Sequence, residues 1–510
     1  MSVPEPPLRL NGGPLDIESV VAVARRGRKV EIGEEALARL SRSRSVVDRR
    51  LETGEAIYGV NTGFGSLART RIKPAEVREV QRNLLRSHAA GVGDRLPIDV
   101  VRAMNVLLVA SLCRGHSGVR PIIAERVVDL LNHGITPVVP SRGSVGASGD
   151  LAPLAHSALV LIGEGRATRD GSEMSGAEAL AAADLQPVVL DAKEGLALIN
   201  GTHLMAAMAT LALADLDHLT DAALAATALS IDACKATDAF LDPRVHDART
   251  QPGQIEIARR LRELLAGSEI IDSHKENDPR VQDPYSLRCA PQVLGAALDL
   301  IDYAAGVVGQ ELGAVSDNPL VFDASDDTDD AILSAGNFHG LPLAIAMDAL
   351  SIAVAHIAGV AERRVYYLLA ASDSENPINV YLSPQPGLHS GMMIAQYTAA
   401  ALCNEIQTLA TPASVGNIPT SAGQEDYNSF GPTAGHQLQR SIELATRVVA
   451  IELLCAAEAL EYHRPLRSGA GVERVHAVIR EAVPRLTQDR PPAPDIEAVA
   501  ALVREGRFSS

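Results

Sequence analysis

The chain has 510 residues, with 46 Lys and Arg against 63 Asp and Glu, and a formal net charge of −17. That balance argues against nucleic acid or an anionic membrane surface as a partner and points to a small-molecule ligand. The length is ample for two large subdomains, and a composition 46% apolar but only 3% aromatic, rich in Ala and Leu, predicts a mostly helical fold.

The first residues, Met1-Ser2-Val3-Pro4-Glu5-Pro6, have neither a basic start nor an apolar core, so no signal peptide is predicted and a cytoplasmic chain is expected. To about residue 50, apolar and charged positions alternate at helical spacing. Tyr58-Gly59-Val60-Asn61-Thr62-Gly63-Phe64-Gly65 is too rich in Gly for a regular element and reads as a loop. Residues 63–68 formally fit a dinucleotide fingerprint, but no β-rich segment precedes them and no βαβ alternation follows, so nucleotide binding is set aside.

The apolar run 154–162 follows Ser148, Asp150 and Pro153, which predicts a helix with Ser148 or Asp150 at its N-cap. Segment 195–214 reads as a buried helix, not a membrane span, because Asn200, Thr202 and His203 interrupt its start. Segments 204–228, 291–314, 341–371, 391–410 and 434–462 are long and nearly apolar all round, which predicts a bundle of buried helices. Loops are expected at 242–256, 323–330 and 372–388, and Pro484, Pro491, Pro492 and Pro494 mark a connector before a last amphipathic helix.

Five scattered cysteines without C-x-x-C spacing read as idle or buried thiols of a reducing compartment. Fourteen histidines lie far apart without an H-E-x-x-H pattern, so no metal site is expected.

Chemistry concentrates at Ala147-Ser148-Gly149. If the chain folds back sharply there, the Gly149 nitrogen can attack the Ala147 carbonyl, and loss of water from Ser148 leaves an exocyclic methylene. Gly149 offers an unhindered nitrogen, Ser148 the departing hydroxyl, and Ala147 a small ring substituent. The plainer reading is a tight turn capping a helix, and the two are compatible, since a helix N-terminus favours negative charge beside it. A serine-hydrolase elbow fits worse, because Asp150 stands where Gly is needed. Further on, Pro284 opens a turn that puts Tyr285 and Arg288 at i,i+3 on one face, a phenol and a guanidinium suited to a carboxylate.

Together these pieces resemble the aromatic amino acid ammonia-lyase family, the enzymes that build a methylidene-imidazolone (MIO) from their own chain. The resemblance rests on 58–65, Ser87-His88-Ala89-Ala90-Gly91-Val92-Gly93, Ala147-Ser148-Gly149-Asp150, 194–202, 282–292, Ser316-Asp317-Asn318-Pro319, Gly336-Asn337-Phe338-His339-Gly340 and Gln424-Glu425-Asp426. It implies an all-α fold with a smaller, loop-rich N-terminal domain carrying the MIO (1–200) and a long-helix bundle and tetramerisation domain (201–510). It also implies a homotetramer whose active sites are shared between subunits, a small amino acid as substrate, and no external cofactor.

By the same resemblance Tyr58 is the base for the β-proton, Arg288 holds the substrate carboxylate, and Asn200 and Gln282 hydrogen-bond near the electrophile. Tyr285 supports proton transfer or ring formation, His88 and Glu425 contact the imidazole or amine, Phe338 packs on the imidazolone, and Asp150 assists cyclisation. The pair Ser87-His88, with Met393, matches the histidine-directed branch, which implies L-histidine as substrate and trans-urocanate as product. His203, Leu341 and the run Tyr427-Asn428-Ser429-Phe430 depart from that branch and keep tyrosine or phenylalanine lyases and aminomutases as alternatives. An eliminating enzyme of the fumarase and argininosuccinase type is the rival from another class, but its G-S-S-x-M-P-x-K-x-N loop is absent.

Overall fold

A computed structural model describes residues 5–53, 57, 59–63, 70–276, 278–324 and 329–509. Helices dominate, and the five long apolar segments form helices His203–Ala233, Ala290–Glu311, Leu341–Ala370, Met393–Leu409 and Gly431–Leu460. The chain divides into two compact units: Met1–Leu211 with Ala305–Met347 and Ala413–His436, and Ala212–Ala304 with Asp348–Pro412 and Gln437–Ser510. The expected boundary at 200/201 falls inside the first unit, because 201–211 and two later stretches join the N-terminal residues there.

In the first unit, helix Ile98–Leu112 is buried from Val100 to Leu112 and packs against Ile17–Arg25 and Pro121–Asn132. A helix apolar all round can sit only at the centre of such a unit. Helix Val77–His88 packs against both Leu151–Leu161 and Glu194–Ile199, and strand Val92–Arg95 pairs with Pro140–Arg142. Leu151–Leu161 and Glu194–Ile199 also pack on each other, so the three helices form one cluster. Leu8–Leu10 pairs in parallel with Val30–Ile32, a strand pair too short to show a period in a segment read as helical.

Two other expectations change. The helix expected over 195–214 breaks at Asn200 and Gly201, since Gly201 takes φ 136° and a Cβ there would lie 2.4 Å from the His203 ring. The loop expected at 242–256 contains helix Pro243–Asp247 and the start of Pro252–Leu265, each opened by a proline at its first position. Proline is pre-organised for that position, so it starts helices as readily as it interrupts them.

In the second unit, long helices share a buried polar knot. Arg364 Nη2 donates to Glu452 at 2.9 Å with both side chains fully buried, and Ser230 Oγ donates to the same carboxylate at 2.7 Å. Leu341–Ala370 and Ala290–Glu311 are long and apolar enough to cross a membrane by length and composition alone. Leu341–Ala370 satisfies a buried charge inside the protein, as a core helix does.

Candidate active site

The backbone turns sharply at the tripeptide. Ser148 and Gly149 both take positive φ, 51° and 74°, and Gly149 forms an isolated parallel bridge with Gly201. The Asp150 N–H donates to the Gly201 carbonyl at 2.8 Å, and the Gly201 N–H donates to that of Ser148 at 3.4 Å. A Cβ on Gly149 would meet the Gly201 oxygen at 2.0 Å, so both the backbone angle and the close approach demand glycine. Ser148 bears a strained angle that the surrounding hydrogen bonds impose, the kind of strain found where chemistry occurs.

Asp150 holds the turn in a way the helix-capping reading does not anticipate. It occupies the N-cap position of Leu151–Leu161 yet makes no side-chain cap there. Its buried carboxylate instead accepts the Leu204 and Met205 N–H groups at 2.9 and 3.0 Å and the Ser144 hydroxyl at 2.8 Å. It therefore caps helix His203–Ala233, whose N-terminus favours a negative charge. Burial pushes its pKa up to about 7, against the pull of those hydrogen bonds. The other side of the turn is tied by the Gly340 N–H and the Ser429 hydroxyl, which donate to the Gly146 carbonyl at 3.1 and 2.8 Å.

Around this turn the first unit gathers three of the other residues singled out in the sequence. Glu425 has one carboxylate oxygen 3.5 Å from the Ser148 hydroxyl and the other accepting from Thr420 at 3.1 Å. His88 ends helix Val77–His88 with Nδ1 2.9 Å from the Leu84 carbonyl. A carbonyl only accepts, so Nδ1 carries the proton and Nε2 is the ring's acceptor. Burial lowers the His88 pKa, with the Leu84 hydrogen bond and the Glu425 charge opposing it, which favours the neutral ring. Asn200 is buried, and its amide Nδ2 donates to the Asn318 carbonyl at 2.8 Å.

Phe338 is half-buried and lies two residues before Gly340, which is anchored to the turn. Of the departures from the histidine pattern, His203 is buried and pushed down to about 3 by desolvation, so it is neutral. Leu341 opens helix Leu341–Ala370, and Tyr427 is 61% exposed and stacks on His339 with centroids 6.3 Å apart. Tyr58 lies outside the described residues.

The remaining candidates lie in the second unit. Helix Tyr285–Arg288 follows Pro284, and the Arg288 guanidinium sits 4.6 Å over the Tyr285 ring, as i,i+3 spacing predicts. Arg288 donates to the Asp283 carbonyl and to Gln282 Oε1, both at 2.8 Å. Arg364 donates to the Ser286 carbonyl at 3.2 Å, which ties this short helix to the buried knot. Met393 is half-buried at the first position of helix Met393–Leu409. Two groups escaped the sequence reading as functional: Ser144, and the loop of Asp317 and Asn318. Asp317 and Asn318 stand within a motif that carried the resemblance, the one signal available for them.

A backbone turned back at Ser148-Gly149, a serine hydroxyl 3.5 Å from the Glu425 carboxylate and the His88 imidazole on the same unit make up the candidate site. The model of the family described as aromatic amino acid lyase matches residues 15–481, and the chain belongs to that family. It is 50% identical over 507 residues to a histidine ammonia-lyase of Anaeromyxobacter dehalogenans, covering 98% of this chain and 99% of the relative. Among solved structures it resembles histidine ammonia-lyase from Trypanosoma cruzi, with TM-score 0.90 and 36% identity over 98% of this chain and 94% of that one. Tyrosine aminomutase from Streptomyces globisporus is similar at TM-score 0.92 and 36% identity, covering 98% and 97%.

Proposed function

We propose that this chain removes ammonia from L-histidine to give trans-urocanate, using an MIO built from Ala147-Ser148-Gly149 without an external cofactor. The observation that carries the histidine reading is the 2.9 Å approach of His88 Nδ1 to the Leu84 carbonyl, which leaves Nε2 as the nitrogen to accept an imidazole N–H. Relatives named histidine ammonia-lyase at about half identity over the whole chain support it.

The residues present fit such a group. The Gly149 nitrogen adds to the Ala147 carbonyl and two waters leave, one from that carbonyl and one from Ser148; the positive φ at Ser148 and Gly149 favours this approach. Asp150, buried and tied to Ser144, assists the proton transfers of cyclisation. When present, the methylene supplies an electrophile that makes the substrate amine a better leaving group.

The chain's own groups do the rest. His88 holds the imidazole, Glu425 contacts the imidazole or the amine, and Phe338 packs on the imidazolone. Arg288 holds the carboxylate through its bidentate fork, Gln282 and Asn200 hydrogen-bond near the reacting atoms, and Met393 lines the substrate. Tyr58 takes the β-proton and Tyr285 supports proton transfer. The active unit is a cytoplasmic homotetramer whose subunits share active sites. Tyr285 is 72% exposed and Val281 95%, and Tyr303, Tyr366 and Tyr397 on long helices are each near half exposed, apolar surface that another subunit would cover.

Intact mass reads the electrophile, as a chain lighter by two waters. Incubation with histidine, tyrosine and phenylalanine, followed by the ultraviolet absorbance of each acrylate, reads the substrate. Cinnamate or coumarate exceeding urocanate would overturn the histidine reading.

A further inference from the structure

Lys193 and Asp317 have no part in the scheme above, yet they form an ion pair as buried as any in the first unit. Lys193 Nζ donates to Asp317 at 2.6 Å, with the two side chains 0% and 3% exposed. Lys193 also takes φ 74°, an unusual angle for a residue with a side chain, at the start of helix Glu194–Ile199. All six residues of that helix are buried, and Asn200 follows at once.

From the other partner, Asp317 Oδ1 accepts the Asn318 N–H at 2.6 Å, and the Asn318 carbonyl accepts the Asn200 amide at 2.8 Å. Asn318 is itself fixed, its Oδ1 accepting the Ala335 N–H at 2.7 Å and the Ser334 hydroxyl at 3.2 Å. The links close a ring: Lys193, the short helix, Asn200, Asn318, Asp317 and back to Lys193. Asn200 Oδ1, though buried, has no hydrogen-bond partner among the described residues.

A buried acceptor without a partner is costly unless a donor arrives. Asn200 stands beside Gly201, which bridges the tripeptide, so the donor that arrives there is a group of the substrate. A carboxylate can only accept, and His88 answers the imidazole. The amine is the donor left.

We propose that Lys193 and Asp317 are positioning residues for this reaction: their pair locks the ring that turns the Asn200 amide oxygen, not its NH2, toward the substrate amine. This rests on the proposed reading of Asn200 as a group that hydrogen-bonds at the reacting atoms. A buried ion pair adds little net stability compared with apolar residues of similar size, so holding one geometry is the gain that explains it.

The test uses full-length Ser148→Ala protein, which binds but does not turn over, and compares L-histidine, which carries the amine, with trans-urocanate, which lacks it. Calorimetry on Lys193→Met/Asp317→Asn, a neutral pair that keeps the acceptor for Asn318, is expected to show histidine weakened about tenfold or more and urocanate by less than about twofold. Equal loss of both ligands, or no loss of either, would overturn the proposal. If that variant does not fold, Lys193→Gln, which keeps a donor, is expected to show the same selectivity at about threefold, with the same two overturning outcomes. Asn200→Ala separates the levels. If it spares both ligands, the reading of Asn200 fails and the proposal with it; if it costs histidine alone while the pair variants do not, only the positioning claim fails.

Discussion

Each unit holds a charge pair almost wholly out of water, Lys193–Asp317 in the first and Arg364–Glu452 in the second, but they hold different kinds of backbone. The first sits among short segments, and the candidate site residues of its unit stand where helices stop: His88 at an end, Ser148 just before a start, Asn200 at a break. The second sits among long helices and steadies one four-residue helix through a single carbonyl. The difference follows from what each backbone must expose. Regular helices engage their own N–H and C=O groups, so a site that folds a tripeptide back must break them, and the exposed groups then need partners from elsewhere.

The comparison breaks most sharply at Ser148. On the proposed function, Ser148→Ala is expected to abolish turnover by several powers of ten while circular dichroism and assembly stay unchanged, because the hydroxyl would build the electrophile and its one side-chain contact, to Glu425 at 3.5 Å, is long. Near-normal activity would remove the chemistry from the first unit altogether.

In the second unit, Arg288→Lys tests binding in place of chemistry. A point ammonium cannot reproduce a fork that also donates to the Asp283 carbonyl, so steady-state kinetics are expected to show kcat/KM down by about 10- to 100-fold, mostly through KM. An unchanged kcat/KM would place Arg288 outside the site.

Substrate choice sharpens the role of the first unit. On the proposed role of His88, replacing Ser87-His88 by Phe-Leu would leave the substrate imidazole without its acceptor, at about 1–3 kcal/mol, or roughly tenfold to over a hundredfold in histidine activity. A trace of cinnamate from phenylalanine is expected to appear. Undiminished urocanate formation would remove His88 from imidazole recognition.

The smallest effect is on stability. The pKa of Asp150 is raised from 3.8 to about 7 in the folded chain, so the folded state binds this proton more tightly than the unfolded one. Its contribution is full below about pH 4 and is lost as pH climbs through about 7. Denaturant unfolding from pH 4 to 8 is expected to show wild type losing stability relative to Asp150→Asn across that window; a constant difference would mean an unshifted carboxylate.

The long helices were legible because apolar residues recur over 20 or more positions, and each expected segment overlaps an observed helix to within a few residues. The pairing of Tyr285 with Arg288 was equally legible, since i,i+3 spacing is local. Motif resemblance named His88, Ser148 and Glu425, and the structure brings the Ser148 hydroxyl to 3.5 Å from Glu425, whose charge also raises the pKa of His88 against the effect of burial. By contrast, nothing periodic connects Asp150 to residues 204 and 205, or Lys193 to Asp317, and the breaks at 200–201 lie inside an apolar run that reads as continuous helix.

The sequence by itself determined the helical class, the position of the long helices, the family and the residues able to make an electrophile. Tertiary structure decided which carboxylate caps which helix, where the backbone breaks, which imidazole nitrogen is left to accept, and which way the Asn200 amide faces. These depend on partners far apart along the chain, and a hydrogen bond or a buried charge is satisfied by proximity in space, which neither composition nor period records.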